Sequence, residues 1–132
     1  MSAVELVASY LESLAATNAI TTAMGTVFSS SNLHLYTEPA DDADIVTLIP
    51  YGGSPPDPNN TKQEPAFQIR FKSTDPKKAI DVQQAMIDNL HNNHLGGRGR
   101  AKAIQSSPIP LGYIEGGEYF VTTTNFTIMH VI

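Results

Sequence analysis

An α+β fold, with a mixed, mainly antiparallel sheet and helices packed on one face, follows from three features of the sequence. Apolar residues recur at helical spacing near the N-terminus and again after residue 75. Two strand-like segments, the β-branched run Ile45-Val46-Thr47-Leu48-Ile49 and the alternating Phe67-Gln68-Ile69-Arg70-Phe71-Lys72, flank a single loop. The predicted elements run helix, three strands, helix, two strands, with short separations and no regular βαβ alternation. Parallel neighbours need long crossovers, so this order favours antiparallel pairing.

From residue 2 to about residue 16, Val4, Val7, Leu11 and Leu14 form an apolar stripe with Glu5 and Glu12 off it, which predicts an amphipathic helix. Asn18 and the Thr21-Thr22 pair weaken its continuation and Gly25 ends it. Thr26-Val27-Phe28 then reads as a short strand before the Ser29-Ser30-Ser31-Asn32 turn. Leu33-His34-Leu35-Tyr36 is compatible with a second short extended piece, but Pro39 and the acids Asp41, Asp42 and Asp44 quickly interrupt it, so it is mainly loop in this reading. The run at 45–49 has the character of a strand covered on both sides, and the one at 67–72 that of a half-exposed strand paired with it.

Between them stands Tyr51-Gly52-Gly53-Ser54-Pro55-Pro56-Asp57-Pro58-Asn59-Asn60. Proline has no amide to donate and glycine favours turn geometry, so this segment breaks the ladder. Ser73-Thr74-Asp75-Pro76 is a helix entry, with a capping oxygen and a proline in the first turn. Ala79, Val82, Met86 and Leu90 form the buried stripe of the helix that follows, Ile80 and Ile87 widen it, and Gly96-Gly97 closes the segment. Residues 101–106 and 109–114 return to strand, broken by Pro108 and Pro110. Gly116-Gly117 then turns the chain into residues 119–132, so the last pair is a hairpin.

At 132 residues and 41% hydrophobic, the chain fits a single domain over 1–132 with one core. A formal charge of -5 with only 8 lysines and arginines supplies no broad positive field, which argues against high-affinity nucleic-acid binding. Without cysteine there are no disulfides, thiolate zinc sites or cysteine nucleophile, a usage that suits a reducing cytoplasm. The start Met1-Ser2-Ala3-Val4-Glu5 has no basic region, and no apolar stretch reaches bilayer length. A soluble chain without a signal peptide and without a membrane partner is expected.

Chemistry is sparse. His91 and His94, three apart at a helix end with Asp88 one turn earlier, are the sharpest metal candidate, yet no second ligand cluster accompanies them. Polar residues finishing a helix against its last carbonyls account for them better. Gly96-Gly97-Arg98-Gly99-Arg100 matches neither the dinucleotide nor the P-loop pattern, so Arg98 and Arg100 are better placed to grip a partner's carboxylates. The acids at 41–44 lack the calcium-loop pattern, Glu115 and Glu118 sit at a hairpin turn, and no serine lies in a nucleophile elbow. No enzyme, metal or cofactor is expected. A small sheet domain with stiffened loops and exposed edges points to a structural or interaction protein, and a ring of copies would cover those edges.

The N-terminal amphipathic helix, Gly25-Thr26-Val27-Phe28, the 45–49 strand with Tyr51-Gly52-Gly53-Ser54-Pro55-Pro56, and Pro65-Ala66-Phe67-Gln68-Ile69-Arg70-Phe71 before a helix together resemble phage tail terminator proteins. Ser107-Pro108-Ile109-Pro110-Leu111-Gly112 with Tyr119-Phe120 is similar to the C-terminal hairpin of that family, also described as minor capsid or neck proteins. The resemblance implies a virion protein, assembled in the host cytoplasm, that forms a homo-oligomeric ring, commonly a hexamer, on the head-proximal end of a long tail tube. Such a ring stops tube polymerisation and docks the head connector, and DNA passes through it without specific binding. Carried onto this chain, the candidate contacts to neighbouring subunits, tube or connector are Tyr51, Gly52, Gly53, Pro55, Pro56, Asp57, Arg98 and Arg100. A head completion or connector protein of the same neck is the near alternative, and a small metal-dependent nuclease using His91 and His94 the distant one.

Overall fold

The computed structural model describes residues 3–39, 43–53, 62–63, 65–95, 99–114 and 118–131. Helix α1 (Ala3–Glu12) buries Val4, Val7, Ala8 and Leu11 along one face. It ends sooner than residue 16, and a second helix, α2 (Ala19–Met24), follows it. The residue read as a helix breaker starts this one: the Asn18 side chain accepts a hydrogen bond from the Ile20 amide at 2.9 Å. The two threonines are helical too, and the Thr21 hydroxyl donates to the Ala15 carbonyl at 2.6 Å, tying the helix to the preceding turn. Gly25 closes it at φ +86°, a left-handed geometry that a β-carbon would strain. Residues 26–28 form no strand, against expectation, and Phe28 serves instead as a core side chain.

The strand in this region is β1 (Leu33–Leu35), where a loop was expected. It runs parallel to β2 (Ile45–Gly53), with Leu33 beside Val46, His34 beside Thr47 and Leu35 beside Leu48. After β2 come β3 (Lys62–Gln63) and β4 (Pro65–Ser73). β2 and β4 pair antiparallel from Ile45 opposite Lys72 to Pro50 opposite Phe67, as the alternation across the loop predicts.

Helix α3 (Pro76–Leu90) begins where the sequence places it, with the Asp75 carboxylate accepting from the Lys77 amide at 3.0 Å and Pro76 in the first turn. Ala79, Val82, Met86, Ile87 and Leu90 are buried, whereas Ile80, expected to widen the stripe, is 42% exposed because it lies past the edge of that face. Replacing Asp75 with alanine is expected to cost about 1 kcal/mol, read as a lower urea midpoint at unchanged slope.

The chain ends in β5 (Gly99–Ala103), β6 (Ile109–Ile114) and β7 (Tyr119–Val131), the last two forming the expected hairpin. β7 is the axis of the seven-stranded sheet. β4 and β3 lie along one side of it in one continuous register, and β5 and β6 share the other side in tandem. β1 and β6 are therefore edge strands, whereas the outer side of β5 is taken by residues 92–95, with the Asn92 amide bonded to the Ala101 carbonyl and the Ala101 amide to the Asn93 carbonyl.

Alternation divides the sheet into two faces. Val46, Leu48, Phe67, Ile69, Phe71, Phe126 and Ile128 meet the helices in one core. On the other face Ile45, Thr47, Lys72, Val121 and Thr123 are also buried, and part of the connection from β1 to β2 lies over β4 there. Arg70 Nε donates to Glu38 Oε2 of that connection at 2.7 Å, Lys72 Nζ donates to the Pro39 carbonyl, and Lys72 also lies 4.8 Å from the centre of the Tyr119 ring. The half-exposed strand of the sequence reading is thus covered on both faces, with Lys72 only 1% exposed. Among the described residues no helix is long and apolar enough to cross a membrane.

Candidate functional site

Tyr51, Gly52 and Gly53, expected to begin the Gly/Pro loop, are the last residues of β2. Its register against β4 shifts between Pro50 and Gly53, and Gly52 takes φ +78° with open space around the position a β-carbon would occupy. The glycine is needed there for its backbone, not for room. Pro55, Pro56 and Asp57 lie outside the described residues, as does Arg98. Arg100 is exposed on β5, its Nη2 2.9 Å from His94 Nε2.

The described ones among them, Tyr51, Gly52, Gly53 and Arg100, lie at one end of the sheet. Gly53 pairs with Pro65, Lys62 with Val131 and Gly99 with His130, so the chain enters and leaves both candidate loop segments at that end. Two strands, β4 and β7, still separate Gly53 from Arg100, so the residues share an end and not a single cleft.

The histidine pair comes apart. α3 stops at Leu90, His91 caps it in an extended conformation, and Asn92 at φ +63° turns the chain away. His91 Nδ1 accepts a hydrogen bond from the Ala103 amide at 2.9 Å, while His94 bridges to Arg100 across β5. The shared helical face on which a metal site depends does not form, and among the described residues no group of three histidines or carboxylates could hold an ion. A cleft of about 500 Å³ opens beside His91, lined by Ile87, Asp88, Ala103, Ile104 and Gln105, with Ile104 59% exposed.

Asp44 is a structural acid. It accepts from Ser73 Oγ at 2.7 Å and from Lys78 Nζ at 2.9 Å, joining the residue before β2 to the end of β4 and the start of α3. Lys77, fully exposed, has its pKa raised by the hydrogen bond from its ammonium to Asp81 and by the charge of that carboxylate.

What the sequence reading missed is where the exposed apolar side chains gather. On the β6 edge, Ile109, Leu111 and Tyr113 are 40%, 50% and 56% exposed. A bulge between Pro110 and Gly112 leaves Leu111 without a partner in register on β7, and Tyr113 stands edge-to-face on Phe120 at 5.3 Å. At the opposite edge, Val27 and Tyr36 flank β1, Tyr36 in a left-handed conformation at φ +71° with its amide bonded to the Leu48 carbonyl at 2.9 Å. A groove of about 670 Å³ runs there, lined by Val27, Ser29, Ser31, His34, Asp44 and Ile45 among others. The alternation at 109–114 carried the signal for exposure, but which strand ends up on an edge is a property of the assembled sheet.

A family model described as bacteriophage tail terminator protein matches residues 15–132, which is every described element after α1. No curated protein and no solved structure matches the chain.

Proposed function

We infer that this chain, which belongs to the bacteriophage tail terminator family, closes a ring of its own copies, commonly six, on the head-proximal end of the tail tube. The family match over nearly the whole chain is the observation that carries this reading. The ring stops addition of further tube subunits, and its opposite axial face receives the head connector. Two features suit such a subunit: a sheet with two dissimilar free edges, which a heterologous contact can join into a closed cycle, and candidate loops entering at one end of the sheet, where an axial partner would meet them. The formal charge of -5 suits a channel that DNA slides through, since a cationic wall would hold phosphates.

The test is the mass of the native assembly together with electron microscopy of purified tubes mixed with the protein. A discrete ring mass and particles capping one tube end are expected. A chain that stays monomeric at every concentration and leaves tube ends bare would sink the reading. Loss of the gene separates terminator from connector: overlong tails are expected here, whereas normal tails detached from filled heads would assign the chain to head completion.

A further inference from the structure

We propose that the β6 edge of one copy docks into the groove beside β1 of the next, with Leu111 and Tyr113 as the inserted side chains. This rests on the ring reading and specifies the surface that would close it. Most of the large apolar side chains exposed among the described residues are divided between the two edges of the sheet: Ile109, Leu111 and Tyr113 on one, Val27 and Tyr36 on the other. The register puts these patches level, since Val46 beside Leu33 is opposite Phe71, Phe71 is opposite Thr122, and Thr122 is opposite Pro110. Exposed apolar side chains on one edge and a groove at the same height on the other are what a head-to-tail repeat requires.

The chemistry of the two sides also matches. The groove has Ile45 and Val27 as apolar wall and Ser29, Ser31 and Asn32 as polar rim, which suits a tyrosine with an apolar body and a polar tip. Extension of the sheet by backbone pairing is disfavoured at β6, because Pro110 has no amide to donate and the bulge bends the strand. Inserted side chains are the remaining way for this edge to hold a neighbour.

The chain has no cysteine, so introduced thiols report the contact directly. Leu111→Cys and Ser31→Cys are made singly and together, both at exposed positions, and folding is checked by circular dichroism and melting temperature. After oxidation and denaturing electrophoresis, the double variant is expected to give a ladder ending at the ring size. Each single variant should stay a monomer, and an equimolar mixture of the two should stop at dimers. As a second measure, Tyr113→Ala is expected to weaken assembly at least about tenfold, as loss of a buried aromatic anchor does, while the melting temperature of the monomer falls by no more than about 5 °C from loss of the contact with Phe120. A covalent dimer from Leu111→Cys alone would overturn the proposal in favour of a two-fold contact. A native ring mass with no ladder, in either Leu111→Cys with Ser31→Cys or Leu111→Cys with Val27→Cys, would overturn it while leaving the ring reading standing. Monomer under all conditions would remove both.

Discussion

Replacing Phe126 with alanine is expected to destabilise the protein by about 4 kcal/mol, the cost typical of emptying a buried aromatic site. Phe126 and Phe67 are fully buried and stack with ring centres 5.4 Å apart and planes 7° from parallel. They sit opposite one another on β7 and β4, and Ala103 of β5 faces Phe126 from the other side, so the ring spans three strands. A cavity there cannot be closed by a surface loop, because the helices and the neighbouring strands fix its walls. With an unfolding entropy of about 2.1 cal/mol/K per residue over 132 residues, the melting temperature should fall by roughly 15 °C. Phe126→Leu, which keeps most of the volume, should cost only about 1 kcal/mol. In a double-mutant cycle with Phe67→Leu, the pair should be coupled by about 0.5–1.5 kcal/mol. A loss below about 1 kcal/mol for the alanine variant would mean that this stack is not the centre of the core.

Much of this core could be read before the fold was known, because it follows from local rules. Asp75 and Pro76 announce α3, the alternation at 67–72 announces a strand, and the β-branched run at 45–49 announces its partner. The errors share a physical origin. Asn18 and Thr21 were weighed by their poor helix propensity, yet at a helix start that same tendency to bond nearby backbone stabilises the turn. β1 is three residues long and pairs parallel with a strand beyond an intervening connection, so its local sequence permits an extended piece but does not reveal the partner that makes it a strand. Lys72 was assigned to solvent by period-two alternation, but alternation says only that it faces away from the helices. Glu38 and Pro39, from the β1–β2 connection, lie over Arg70 and Lys72 on that second face, a contact distant in sequence that no local pattern shows.

The candidate contact residues divide in the same manner. Gly52 and Gly53 were legible as a break in the ladder, and the bulge at the end of β2 is that break. Arg100 was legible as an exposed arginine, and its bridge to His94 ties it to the segment after α3. Leu111 and Tyr113 were read as part of a hairpin, and only their place on the outer row of the sheet makes them a surface.

Gln83 is the second position where a single change should have a large effect, and its case turns on hydrogen bonds where that of Phe126 turns on volume. It is a fully buried amide on the sheet-facing side of α3. Its Nε2 donates to the Ile69 carbonyl at 2.9 Å and to the Thr122 carbonyl at 3.0 Å, and its Oε1 accepts from the Thr124 hydroxyl. One side chain thus joins the helix to both central strands, beside the bond from the Thr122 hydroxyl to the Ala79 carbonyl. Gln83→Met keeps the length and removes every one of these bonds, leaving the Thr124 hydroxyl without its acceptor in the core. About 3 kcal/mol should be lost. Combining it with Thr124→Val should cost less than the sum of the two single changes, because the second removes a group the first left unpaired. Gln83→Glu makes the sharper test. A carboxylate facing two carbonyls disfavours its own charge, so its folded pKa lies above the roughly 4.3 of an unfolded glutamate. A raised folded pKa means that stability relative to the parent is retained below that unfolded value and lost as pH rises. The deficit of this variant should therefore grow from pH 4 to pH 7, measured by denaturant melts of both proteins at each pH. A deficit independent of pH would show that the carboxylate escapes to water, and that Gln83 does not hold the two strands against the helix.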